Sequence, residues 1–226
     1  MAEDNRPVRI VGHARLRSFA TDLLIAAGCT RADAEASAEV FVEADLRGFG
    51  GQGVDYMPYM VDYIRDGKID PKGKPEILKE LAASVMIDGH KGPGHGAAFM
   101  ACDMAAKKAK QAGSCTVALG NSADIYMIGY YAERIARAGC VGIVATSGPP
   151  LVHPPGGMER VLSTNPIAFG FPMAGEDPLV MDMAMSAMSR SRVRLAAYHK
   201  EQVPPGTGIG PDGRPSTDAE TVMAGR

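Results

Sequence analysis

Three helical stretches come before the first good strand, an order that points to an architecture of helices first and a mixed sheet after them. Leu16, Phe19, Ala20, Leu23 and Leu24 recur at spacings of three and four, and Gly28 follows as a left-handed stop. Thr30 is placed to cap a second run whose apolar face is Ala36, Val40, Phe41 and Ala44, with Asp33 in its first turn. The third run carries Tyr56, Tyr59, Met60, Tyr63 and Ile64 and closes at Gly67.

After Pro71 the pattern changes. Residues 84–88 read as a short strand before a glycine-rich turn, and 95–112 as an alanine-rich helix. The runs CTVAL (115–119) and VGIVA (141–145) flank a helical segment at 127–138, a crossover length that predicts parallel pairing of the two. Residues 167–171 and 179–183 are further strands around a turn with Gly175, Asp177 and Pro178, and 185–199 reads as a helix. The expected fold class is α/β: N-terminal helices (1–70), then a mixed β-sheet with crossover helices (71–200). Residues 201–226, rich in Gly, Pro and small polar side chains, are expected to form a loop or tail.

Gly48, Gly50 and Gly53 satisfy the G-x-G-x-x-G pattern of dinucleotide folds, but a helix precedes them where the motif needs a strand, so a loop between helices is expected. The net charge of −2, from 24 basic and 26 acidic residues mixed along the chain, gives no field to attract nucleic acid. No apolar run approaches the roughly 20 residues that span a bilayer, and MAEDNRPVRI is too polar for a signal peptide, so a cytoplasmic protein without membrane contact is expected. Cys29, Cys102, Cys115 and Cys140 show no C-x-x-C spacing and read as packing residues. His90 and His95, in DGHKGPGHG, lack a partner suited to zinc, so no metal site is expected and a turn is the simpler reading.

Four ordered strings carry the functional signal: EADLRGFGGQGV (43–54), NSADIYMIGYYA (121–132), STNPIAFGFP (163–172) and VMDMAMS (180–186). With Pro155, Gly156, Gly157 and Arg160 ahead of Thr164-Asn165-Pro166, they resemble the malate/L-lactate dehydrogenase family, which includes ureidoglycolate and sulfolactate dehydrogenases. The tail is similar too, through Pro204, Gly206, Asp212, Gly213, Pro215, Thr217 and Asp218. The resemblance implies a non-Rossmann mixed fold and a homodimer that passes a hydride between NAD or NADP and a small 2-hydroxy acid, 2-oxo acid or cyclic imine. It also implies that Asp182, Met183 and Ala184 contact the cofactor, with Ser147 and the Thr164-Asn165-Pro166 turn beside it.

The chain departs from that family where protons are handled. Members offer histidine in an S-H-G motif and in N-S-N-H; here the corresponding residues are Gly51-Gln52-Gly53 and Asp124, with Phe49 in place of a further histidine and Tyr126 and Ile128 in place of small residues. Gln52 can orient a substrate but cannot titrate. Asp124 can serve as the acid or base if burial raises its pKa, the alternative being a solvated loop aspartate. His153, in LVHPPGG, is a second candidate proton carrier, against a plain surface histidine. Arg47 can hold a substrate carboxylate through two parallel hydrogen bonds or simply compensate a helix dipole. Losing both histidines leaves a hydrolase or lyase on the same scaffold as one alternative to a dehydrogenase, and because the family continues beyond this length a catalytically silent shortened subunit is the other.

Overall fold

The structure, a computed structural model, describes residues 10–225. Helices α1 (His13–Ala26), α2 (Arg31–Leu46) and α3 (Met57–Arg65), the last entered through a 3-10 turn at Val54–Tyr56, build the N-terminal layer. The Thr30 hydroxyl accepts the Asp33 backbone N–H at 3.2 Å, which fixes the start of α2. Leu24, Phe41, Met57 and Met60 bury the facing stripes of these helices in one core.

Strands β1 (Glu76–Glu80), β2 (Ser84–Asp88) and β3 (Thr116–Gly120) form one sheet, β1 antiparallel and β3 parallel to β2. Helix α4 (Gly94–Ala112) makes the crossover between β2 and β3. β1 was not expected: its EILKE sequence lies wholly exposed on the sheet edge and lacks buried alternation. A second sheet joins β4 (Gly142–Ala145), β5 (Ile167–Phe171) and β6 (Leu179–Met183), all antiparallel.

The expected parallel pairing of 115–119 with 141–145 is therefore wrong. β3 pairs β2, and α5 (Gly129–Arg137) carries the chain from the first sheet to the second. The physical reason is a glycine pair that the run VGIVA does not advertise. Gly142 lies opposite Gly170 of β5, and a Cβ at Gly142 would stand 2.7 Å from the Ala132 carbonyl oxygen of α5. Only a bare backbone on both strands lets α5 settle on this sheet.

Beyond Lys200, where loop was expected, helix α6 (Arg190–His199) is followed by a small hairpin, β7 (Gly208–Ile209) with β8 (Pro215–Ser216), and by α7 (Ala219–Ala224). Val193, Val203 and Ala219 bury against one another there, a long-range core that local composition cannot reveal. The side of the second sheet away from α5 carries rows Ile143–Phe169–Met181 and Ala145–Ile167–Met183, with Ile143 62% and Met181 42% exposed. No described helix is long and apolar enough to cross a membrane.

His90 holds a turn, with its Nε2 2.8 Å from Glu76. His95, by contrast, lies in the first turn of α4 fully buried: its Nδ1 lies 3.0 Å from the Ser37 hydroxyl, its ring stacks on Tyr126 with centroids 5.6 Å apart, and its Nε2 has no partner among the described residues. Burial pushes its pKa down to about 3. In the unfolded chain the imidazole takes up a proton near pH 6.5, so between those values the unfolded state binds more protons and stability falls as the pH falls. The urea midpoint is thus expected to drop between about pH 7 and about pH 5, and His95→Gln to remove most of that slope. An unchanged slope in the variant would contradict this role.

Candidate active site

An open cleft of about 1380 Å³ separates the helical layer from the second sheet and from α6. The loop after α2 supplies Arg47 and Gln52, the loop after β3 supplies Asp124 and Tyr126, and the ends of β4, β5 and β6 supply Ser147, Thr164, Pro166, Asp182, Met183 and Ala184. Each group arrives at the end of a regular element, so local turn chemistry sets its position.

Asp182, on β6, accepts the Gly129 backbone N–H at 2.7 Å and so caps α5. Gly129 is required there, because a Cβ would lie 2.9 Å from that of Asp182. Burial pushes the Asp182 carboxyl up, against the lowering effect of the Gly129 bond. Thr164 hands its carbonyl to the Met185 N–H at 2.9 Å, joining the Asn165-Pro166 turn to the segment after β6. Asn165 takes a left-handed φ of +38°, and its Oδ1 is buried without a partner among the described residues.

A family description of malate/L-lactate dehydrogenases matches residues 11–226. An L-sulfolactate dehydrogenase from Methanocaldococcus jannaschii is 35% identical over 204 residues, covering 90% of this chain and 59% of that protein. A (2R)-3-sulfolactate dehydrogenase (NADP(+)) from Chromohalobacter salexigens is 32% identical over 218 residues, 96% of this chain and 65% of the relative. The solved malate dehydrogenase from Entamoeba histolytica superposes with a TM-score of 0.91 at 28% identity, over 96% of this chain and 60% of that one. The chain belongs to the malate/L-lactate dehydrogenase family. It spans less than two-thirds of the length of each of these relatives.

Asp124, Gln52 and Tyr126 meet in this cleft. Asp124 opens onto the cleft and has neither a hydrogen bond nor an ion pair among the described residues. The cleft walls crowd it enough that desolvation pushes its carboxyl above the ordinary range. Gln52 reaches the Ser191 hydroxyl with its Nε2 at 3.5 Å, leaving Oε1 buried and unmet among the described residues. Tyr126 holds a left-handed φ of +55° and packs its ring against His95, Phe41 and Tyr56.

Arg47 lines the cleft, but its charge is already engaged. It pairs with Glu133 and, at 3.4 Å, with Glu43, and its guanidinium lies 5.1 Å from the centre of the Tyr130 ring. The nearly buried Glu133 carboxylate, also held by Arg137 at 2.6 Å, competes with any substrate for Arg47. His153 is not brought to the cleft lining; its Nδ1 lies 3.0 Å from the Pro154 carbonyl within its own loop.

Sequence reading missed the contribution of α6. Arg190 lines the cleft with no ion pair among the described residues, and Ser189 caps the helix by accepting the Arg192 N–H at 3.4 Å. Arg194 bonds Asp55 at 2.6 Å and the Gly51 carbonyl at 3.3 Å, with its guanidinium 4.7 Å from the centre of the Tyr56 ring. The alternating arginines of SRSRVRL were the available signal: three cations within five residues at a helix start serve no dipole, since cations favour the other end.

Proposed function

We propose that this protein is an NAD(P)-dependent oxidoreductase that moves a hydride to or from a small 2-hydroxy acid, 2-oxo acid or cyclic imine. The observation that carries this reading is that strings spread over more than a hundred residues of the chain, at 47–50 and 52, 124–126, 163–164 and 166, and 182–184, line one cleft. The residues present fit a dinucleotide. One wall is made of short side chains and hydroxyls at Thr146, Ser147, Gly148, Ser163 and Thr164, and Arg190 and Arg192 supply positive charge for phosphates. The Asp182-Met183-Ala184 segment completes the set of lining residues that would hold it, whereas Asn165 lies in the turn between Thr164 and Pro166 and is not itself part of the lining.

Bound there, the nicotinamide would supply the hydride. The chain's own part is to orient the substrate with Gln52, to keep water from the reacting carbon, and to place Asp124 beside the atom whose charge changes. The test is consumption of NADH or NADPH by the purified chain against a panel of 2-oxo acids and cyclic imines. Turnover with any of them supports the reading. Saturable cofactor binding without turnover would instead favour a catalytically silent subunit.

The same reading takes the protein to be a cytoplasmic homodimer. Its four unpaired cysteines suit a reducing compartment, and the apolar outer face of the second sheet suits association. Met181→Glu is expected to shift the mass measured by light scattering from dimer to monomer. A wild-type monomer would contradict the dimer.

A further inference from the structure

Resting on that reading, we propose that Arg194 is a positioning residue: from α6 it clamps the glycine-rich loop 48–53 and so holds Gln52 in the cleft, without itself touching substrate. Arg194 is not among the described residues that line the cleft, whereas Gln52 and its neighbours Gly48, Phe49 and Gly50 are.

Ser191, Arg194 and Leu195 stand three and four residues apart and so share one face of α6. That face meets three consecutive residues of the loop. The Leu195 side chain lies 2.9 Å from where a Cβ of Gly50 would stand, the Arg194 Nη2 donates to the Gly51 carbonyl at 3.3 Å, and the Gln52 Nε2 donates to the Ser191 hydroxyl at 3.5 Å. The glycine string that fails as a dinucleotide motif therefore has another use. Gly51 holds φ at +86°, and a Cβ there would stand 3.0 Å from the Ser191 carbonyl oxygen. A Cβ at Gly53 would collide with the Asp45 carboxylate that accepts the Val54 N–H. Bare backbone lets the loop lie close against the helix.

Arg194 makes this joint directional. Its Nη2 also reaches Asp55 at 2.6 Å, its Nη1 reaches the Tyr59 hydroxyl at 3.5 Å, and its guanidinium lies 4.7 and 5.4 Å from the centres of the Tyr56 and Tyr59 rings. One flat cation thus ties down the whole stretch 51–59, a geometry that a lysine ammonium cannot copy. The pair with Asp55 carries little weight for stability, because the Asp55 side chain is 46% exposed and water screens it. The Arg194 Nε is also buried without a partner among the described residues, which costs stability. What the clamp contributes is therefore placement.

The loop is the softer of the two partners. Helix α6 is anchored through Val193, on its opposite side, against Val203 and Ala219, while the loop carries four glycines in the six residues 48–53. Loss of Arg194 is thus expected to free the loop and leave the helix in place.

The test uses the full chain. Hydrogen exchange followed by mass spectrometry is expected to speed up over residues 48–56 in Arg194→Ala, with α1 and α4 unchanged. In that stretch the Gln52 N–H bonds the Phe49 carbonyl at 3.1 Å and the Tyr56 N–H bonds the Gly53 carbonyl at 2.9 Å. With the panel of 2-oxo acids and cyclic imines, kcat should fall about tenfold or more while the KM for NADPH changes less than about threefold. Arg194→Lys should recover part of the loss. In a Gln52→Ala background, Arg194→Ala should lower kcat by less than about threefold more, because the two residues act as a unit. Should Arg194→Ala not fold, Asp55→Asn loosens the same clamp and takes its place in each measurement. Unchanged exchange, an unchanged kcat, or equal losses in both backgrounds overturns this inference and leaves the oxidoreductase reading standing. A wild type that turns over none of the panel overturns the oxidoreductase reading, and the positioning role with it.

Discussion

Gly170→Ala is expected to destabilise the protein by about 3 kcal/mol, the upper part of the range for forcing extra volume into a packed interior. The added methyl would overlap the Ala132 carbonyl of α5, and backbone cannot swing aside as a flexible side-chain end can. Relief requires α5 to lift from β4 and β5. That movement also pulls Gly129 from Asp182, so the variant should lose cofactor affinity as well as stability. Urea unfolding of wild type and variant checks the first effect, and a loss below about 0.5 kcal/mol, the usual scale of surface changes, would show that α5 does not depend on the bare glycine pair.

Asp182→Ala is expected to raise the Kd for NADPH about tenfold or more, equivalent to 1.4 kcal/mol of binding. The carboxylate fixes the first turn of α5 against the end of β6, and it stands beside the Met183-Ala184 segment of the cleft wall. Removing it leaves the Gly129 N–H without its acceptor and costs about 1 kcal/mol of stability, the typical value for a lost helix cap. Asp182→Asn, whose amide oxygen can still accept that bond, should recover most of the stability. If NADPH affinity is unchanged in the Ala variant, Asp182 is a helix cap and no part of a cofactor site.

Much of the helical layer was legible because its signals are local. Thr30, Gly28 and Gly67 mark ends with their own chemistry, and apolar spacing marks the faces. Strand partners were not legible. The choice of β5 over β3 as the neighbour of β4 rests on Gly142 meeting Gly170, a relation between residues far apart in the chain. β1 escaped because an exposed edge strand needs no apolar alternation. In the cleft, the strings indicated which segments matter but not how their charges are spent. Arg47 reads as a free carboxylate clamp until Glu133, 86 residues away, is seen to hold it. Arg190 lay in a stretch read only as a helix, and His95 in a glycine-rich motif read only as a turn.

The central claim, that these scattered segments form a dinucleotide cleft in the chain as it stands, is tested most directly by titrating NADPH into the purified protein and following nicotinamide fluorescence. Saturable one-to-one binding is predicted, with a Kd in the micromolar range, about −8 kcal/mol. No change in fluorescence up to millimolar NADPH would contradict it.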